Sequence, residues 1–261
     1  MIGVMLMSFL QTRGLSVVWS LSFDAYYNII DTGRLQVIMR TLQVAALVTI
    51  ICFVVGFPFA LWLAKRARSE MVKQFVWMCL TVPFFLDPSA RTLVWRAVLG
   101  TTGVINSALI KLGIVSEPLT WLLFSDFSIL FGMVPFYFPN MVWPIYLALI
   151  LIDDDLLGAS KDLGATPFQT LRTVILPLAV PGIVAGFIFT FVPVLGDNVV
   201  TRLLGGGKQE YIADSVMSLV TTMNYTGAAA FATIVLGLSL LFVGAFGLLN
   251  RSRTRPAGET T

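Results

Sequence analysis

Residues 153–177 read DDDLLGASKDLGATPFQTLRTVILP, a polar stretch set between two long apolar runs. Asp153, Asp154 and Asp155 stand where a helix would begin, and carboxylates there favour the positive end of the helix dipole. The pattern predicts a first helix from Asp154 to Leu163. Gly164 then supplies a residue free to take a left-handed turn. Thr166 can cap a second helix, with Pro167 at its first position and Gln169 at the capping-box spacing. Pro177 is expected to end that second helix, because the residue before a proline is disfavoured in helical backbone. Phe168, Leu171, Val174 and Ile175 fall on one face of it. The expectation is a helix-turn-helix platform that presents apolar and small residues.

Working outward from this loop, the chain is built of membrane-length apolar runs, each near the roughly 20 residues a span requires. Val37–Ala64 is interrupted by Gly56 and Pro58 and ends on Lys65-Arg66-Ala67-Arg68. Phe75–Leu99 is broken by Pro83, Asp87, Pro88, Arg91 and Arg96. Ile129–Ile152 carries three prolines, Pro177–Val200 contains Pro181 and Pro193, and Ala228–Leu249 is rich in glycine. Met1–Leu10 is apolar but about half a span long. It reads either as the tail of a first transmembrane helix or as a short interfacial segment, followed to residue 36 by a periplasmic stretch. The chain is thus expected to be an all-α polytopic membrane protein of about five to six transmembrane helices. Its transmembrane domain covers residues 37–249, and residues 250–261 form a cytoplasmic tail.

Composition agrees. Of the 261 residues 57% are hydrophobic and 12% charged, with a mean hydropathy of +0.88, where a soluble domain is about 25% charged. The net charge of +3 does not point to nucleic acid, because the basic residues cluster at the ends of apolar runs, where they set membrane orientation. Lys65 to Lys73 and Arg251, Arg253 and Arg255 are therefore placed in the cytoplasm. Segments 11–36, 100–120 and 201–226 then face the periplasm. The absence of histidine removes His-based metal sites and Ser-His-Asp triads. Cys52 and Cys79 lie inside apolar runs and imply no disulfide framework. No catalytic residue, metal site or cofactor is expected.

The run Gly158-Ala159-Ser160-Lys161-Asp162-Leu163-Gly164, followed after nine residues by Val174-Ile175-Leu176-Pro177, resembles the "EAA" signature of binding-protein-dependent ABC importer permeases. In that family Glu-Ala-Ala is followed by three residues, a glycine, nine residues and Ile-x-Leu-Pro. Gly164, Leu176 and Pro177 match, while Gly158 replaces the family glutamate. The resemblance implies a type I ABC importer permease bundle in a bacterial inner membrane. It also implies a coupling loop over 153–176 that docks on a separate ABC ATPase. Gly158, Ala159, Ser160, Asp162, Gly164, Ala165, Pro167, Phe168, Leu171, Leu176 and Pro177 carry that role. Further implied partners are a second, non-identical permease subunit and a periplasmic solute-binding protein. Arg91-Thr92-Leu93-Val94-Trp95 and Phe191-Val192-Pro193-Val194-Leu195-Gly196-Asp197 with Leu203-Leu204-Gly205-Gly206-Gly207-Lys208 are similar to the spermidine/putrescine branch, first-subunit type. Opines, phosphonates or ferric ion are alternative solutes for related permeases. A self-contained secondary transporter or channel is the alternative from another class, and the chain shows no internal repeat to support it.

Ionisable residues in or near spans are costly in lipid and mark interiors or water-filled paths. Asp87 and Arg91, four apart, can pair on a helix. Asp197 lies about 30 Å from Pro177 along a helix, which puts it at the periplasmic mouth. Asp126 begins its own span. Asp197, Asp87, Arg91, Trp95 and Asp126 are the candidate pathway residues. Phe136, Tyr137 and Trp143 are further aromatic partners for a dispersed cation. Arg91 and Arg96 argue against a purely cation-selective path. Gly205-Gly206-Gly207-Lys208 lacks the flanking residues of a phosphate loop, so ATP hydrolysis is assigned to another protein. Gly182 and Gly186, four apart, permit close helix contact.

Overall fold

The computed structural model describes residues 2–13, 16–31, 34–67 and 69–251. Arg68, Arg253 and Arg255 of the expected cytoplasmic clusters lie outside the described residues. The chain opens with helix α1 (Ile2–Met7), an antiparallel hairpin of β1 (Leu10–Arg13) and β2 (Ser16–Leu21), and α2 (Asp24–Asp31). The hairpin pairs Leu10 with Leu21 and Gln11 with Val18, with a register shift between Leu10 and Gln11. Then come α3 (Leu35–Lys65), α4 (Glu70–Thr81), α5 (Pro88–Leu99), α6 (Val104–Lys111) and α7 (Asp126–Ile150). The loop helices α8 (Asp154–Asp162) and α9 (Pro167–Thr170) lead into α10 (Leu176–Leu195). The chain closes with α11 (Val199–Gly205), α12 (Ile212–Thr221) and α13 (Tyr225–Arg251).

Among the described residues five segments are long and apolar enough to cross a membrane: Leu35–Lys65, Pro88–Lys111, Asp126–Ile150, Pro167–Leu195 and Tyr225–Ala245. Two expectations are corrected. The broken run over Phe75–Leu99 is two helices, α4 and α5, parted by a 3-10 turn at Val82–Phe85. Pro83 and Pro88 each disfavour helix at the residue before them, and the span begins only at Pro88. Pro177 does not end the second loop helix. A π-helical turn over Leu171–Ile175 joins α9 to α10, with the Leu176 N–H donating to the Leu171 carbonyl. That wider turn lets the chain run on where proline would otherwise clash with the carbonyl four residues back.

By its contacts the chain divides into two compact units. One comprises residues 1–47, 86–133 and 192–240; the other, 48–85, 134–191 and 241–261. In the first, Ile29, Ile212, Leu219, Ala230 and Phe231 form a buried cluster. There α5 packs against α11, and Gly132 admits the side chains of Leu204 and Val200. In the second, α10 lies close against α7. A Cβ at Gly182 would strike Ala148 and the Pro144 carbonyl, and one at Gly186 would come within 3.0 Å of the Met141 carbonyl. The two glycines therefore serve packing inside the bundle.

Candidate functional site

The loop between α7 and α10 folds by local rules. The Asp153 carboxylate accepts from the Asp155 N–H at 3.0 Å and caps α8. At the other end Gly164 adopts φ +81°. Its N–H donates to the Lys161 carbonyl at 2.8 Å, and the Ala165 N–H donates to the Ser160 carbonyl at 3.1 Å. This is the paired closure of a Schellman motif, which needs a left-handed residue at that position. Thr166 caps α9 reciprocally: Oγ1 accepts from the Gln169 N–H at 3.3 Å, and Gln169 Oε1 accepts from the Thr166 N–H at 2.8 Å. The hydroxyls of Ser160 and Thr170 meet at 2.9 Å and bolt α8 to α9.

What this geometry presents is apolar. Leu163, before the turn, is 89% exposed and Phe168, after it, 70% exposed. Ala159, Asp162, Gly164, Pro167 and Pro177 are exposed as well, and Gly158, Ser160, Ala165, Leu171 and Leu176 half-buried. The single apolar face expected of the second helix is not kept. Phe168 points out, Thr170 and Ile175 are buried, because the π turn shifts the register by one residue. Around Gly158 nothing lies within 4 Å of an added Cβ, so a longer side chain has room there.

Lys65 ties the loop to the end of α3. Its ammonium donates to the Ile152 carbonyl at 2.6 Å and to Asp154 Oδ1 at 2.7 Å. The charge thus sits where the end of α7 gathers carbonyl dipoles and the start of α8 carries acid. The Lys65 ammonium, by hydrogen bond and charge, holds the Asp154 carboxyl below its ordinary range. Asp154 is 82% exposed, and an ion pair open to water contributes little to stability. The carbonyl bond of the well-covered lysine is therefore the stronger half of the tie.

The pathway candidates all belong to the other unit. Asp197 heads α11: one carboxylate oxygen accepts from the N–H groups of Val199 and Val200, each at 2.9 Å. Asp87 does the same for α5, accepting from Ser89 at 2.9 Å and Ala90 at 3.0 Å. Those backbone donors, Ala90 first, hold its carboxyl low. Because α5 packs on α11, Asp87, Arg91, Trp95 and Asp197 stand on adjoining elements. Trp95 meets Phe131 edge-on at 5.0 Å. Asp126, first residue of α7, pairs with Arg40 at 3.2 Å and accepts from the Tyr211 hydroxyl at 3.4 Å. Burial, then the Asp126 charge, raises the Tyr211 phenol. Burial likewise raises the Asp214 carboxyl, which lies 4.0 Å from Arg202 Nε. Phe136 and Tyr137 contact each other at 4.8 Å, and Trp143 meets Trp77 at 4.3 Å, so these aromatics serve packing within their own unit.

Several residues of these sites carry no signal in the sequence. Arg40 and Tyr211 lie far along the chain from Asp126. Buried Asn106 donates to the carbonyls of Gly100 at 3.0 Å and Leu119 at 3.3 Å and accepts from the Leu119 N–H at 2.8 Å. Lys65 read as an orientation charge alone.

Residues 55–255 match the family described as binding-protein-dependent transport system inner membrane component. The chain belongs to this family. As an inner membrane component it is a multi-pass transport subunit. Among relatives, the spermidine/putrescine transport system permease protein PotB of Escherichia coli K12 is 33% identical over 88% of this chain and 84% of its own. Haemophilus influenzae PotB is 32% identical over 95% and 88%. Among solved structures, a bacterial ABC transporter that imports the acidic polysaccharide alginate superposes with a TM-score of 0.71. It covers 97% of this chain and 89% of its own at 17% identity. The MetNI methionine ABC transporter gives 0.59, covering 85% and 96% at 20% identity. Both share the fold of this transport component.

Proposed function

We propose that this chain is the first-type permease subunit of an ATP-driven importer that carries a polyamine from periplasm to cytoplasm. The observation that carries the reading is the self-closed loop 153–176, whose exposed Leu163 and Phe168 form a hydrophobic bearing for an ATPase groove. Closure of the ATPase pair moves this lever and shifts the permease between two states. One chain supplies one lever, so a second permease subunit completes the pair, and a periplasmic binding protein delivers the solute. The polyamine assignment rests on the likeness to PotB proteins across most of both chains. Asp197, Asp87, Asp126, Arg91 and Trp95 border the route, with several weak contacts serving passage better than one tight site.

The test is uptake of radiolabelled putrescine and spermidine into proteoliposomes holding the full importer. Asp197→Asn keeps an oxygen to cap α11 and removes the charge. Uptake should fall and the half-saturating concentration rise several-fold, with the complex still assembled. Wild-type vesicles that ignore polyamines but accumulate an anionic solute would overturn the substrate and leave the importer.

A further inference from the structure

The second helix of the loop runs straight into α10: α9, the π turn and α10 form one helical segment over Pro167–Leu195. Movement of the loop therefore enters α10 directly. Near its far end α10 carries a break. Pro193 has no N–H, so the carbonyl of Phe189, four residues back, loses its partner within the helix. In a membrane-spanning segment a bare carbonyl is costly, because hydrocarbon offers nothing in its place. The amide of Asn140 on α7 fills the gap, its Nδ2 donating to the Phe189 carbonyl at 3.1 Å. Pro139 and Pro144 stand on either side of Asn140. The hydrogen bond thus joins the two helices where both backbone ladders are interrupted.

The residue after Phe189 is a buried group without a bond. Thr190 follows Gly182 and Gly186 at four-residue steps, on the stripe of α10 that meets Pro144, Ala148 and Met141 of α7. It is fully buried, and its hydroxyl has no hydrogen-bond partner among the described residues. Buried hydroxyls are nearly always bonded, and an idle one calls for a reason. Asn140 is half-buried and neighbours Met141 on the facing helix. An amide that leaves Phe189 has this hydroxyl as its next partner.

We propose that Asn140 is a positioning residue for transport: its amide latches the proline break of α10 in the present state and releases it when the permease changes state. The proposal rests on the reading of the chain as a permease driven through its loop, and not on the identity of the solute. A backbone N–H in the place of Pro193 would hold the Phe189 carbonyl within an unbroken helix. A side-chain amide holds it by a bond that a rotamer change opens. α10 is then stiff enough to carry the movement of the loop and free to bend at one point.

The experiment uses the complete importer in nanodiscs and reads its melting midpoint and its basal ATP hydrolysis. Asn140→Leu keeps the bulk and removes the donor. Melting should fall by several degrees, and hydrolysis should rise about fivefold, the worth of one net hydrogen bond restraining the present state. Pro193→Ala supplies the missing N–H, so hydrolysis should fall about fivefold with no loss of melting temperature. In the double variant the carbonyl has its own N–H, and both readouts should follow Pro193→Ala. Thr190→Val removes the idle hydroxyl, which should raise the melting midpoint and lower hydrolysis about threefold. A merely structural amide would move melting alone; hydrolysis at the wild-type rate in Asn140→Leu and Pro193→Ala would overturn the proposal. Simple additivity in the double variant would do the same. If Asn140→Leu alone fails to assemble, the double variant should assemble, and its failure would also count against the latch. A wild-type complex that hydrolyses ATP yet imports no polyamine would remove the cargo reading and leave this comparison intact.

Discussion

The loop 153–176 and the segment 196–212 are both polar stretches between spans, and they are held in opposite ways. In the loop, apart from the Lys65 tie to Ile152 and Asp154, the fastenings are short: Asp153 to Asp155, Gly164 to Lys161, Thr166 to Gln169, Ser160 to Thr170. Its Leu156, Leu163 and Phe168 side chains are left outside. In the other segment distant parts of the chain meet. The Ser128 hydroxyl donates to the Leu204 carbonyl at 2.9 Å, the Ile212 N–H donates to Thr41 Oγ1 at 3.1 Å, and Phe124 is tied to Leu204. There Leu204, Tyr211 and Ile212 are buried. A loop that closes largely on itself leaves hydrophobic surface free for a partner. A segment fixed by long-range bonds in a dry interior loses much with each partner removed.

That difference predicts where damage costs most. In the unit that carries segment 196–212, Asn106→Ala would remove a fully buried amide and orphan the Leu119 N–H and the Gly100 carbonyl. At about 1–3 kcal/mol for a stranded buried group, the loss should come to about 3 kcal/mol. The detergent-solubilised complex should melt several degrees lower. An unchanged melting midpoint would show that this region is not held as argued.

The loop should fail differently. Gly164→Val meets no neighbour, since an added Cβ has nothing within 4 Å, so its cost is purely that of φ +81°. Left-handed backbone costs a non-glycine residue about 1–2 kcal/mol, more for a β-branched one. Uptake should drop by about tenfold through the distorted lever, at 1.4 kcal/mol per decade, with little change in melting temperature. Asn at this position, which tolerates the conformation, should recover most of the activity. Full ATP-driven uptake by Gly164→Val with the ATPase bound would contradict the lever reading.

The same contrast explains what could be read from sequence. Asp153, Gly164, Thr166, Pro167 and Gln169 act on backbone within five residues, so residue type and spacing announce them. Four of the five spans were legible because apolar length alone sets them, while Phe75–Leu99 misplaced the span that begins at Pro88. Pro177 misled because the π turn that accommodates it has no composition signal. Asn106, Arg40 and Tyr211 stayed hidden because their partners are decided by tertiary packing. Phe124 did so because a left-handed aromatic looks like any other in a sequence. Leu163 reads as the end of a helix, and only the structure reveals that its side chain is exposed. The hairpin of β1 and β2 was missed although Ser16-Val17-Val18-Trp19 has the β-branched and aromatic content of a strand.

Gly158 gives the finest test of the loop. It stands inside α8, where glycine costs about 1 kcal/mol relative to alanine through backbone freedom in the unfolded chain. The space around its Cβ position is open, so a methyl there meets no wall and the conformational gain is not offset by crowding. Gly158→Ala should therefore stabilise α8 by about 0.5–1 kcal/mol. Hydrogen exchange at the amides of 155–162 should slow about three- to fivefold in the purified complex, while exchange in 198–205 stays as it was. Gly158→Glu restores the family side chain in the same space, and it separates two effects that alanine combines. If it slows exchange as alanine does and also raises ATPase retention on washing, the carboxylate adds a contact to the partner. If Gly158→Ala leaves exchange unchanged, the local rules credited with building this lever are not what hold α8.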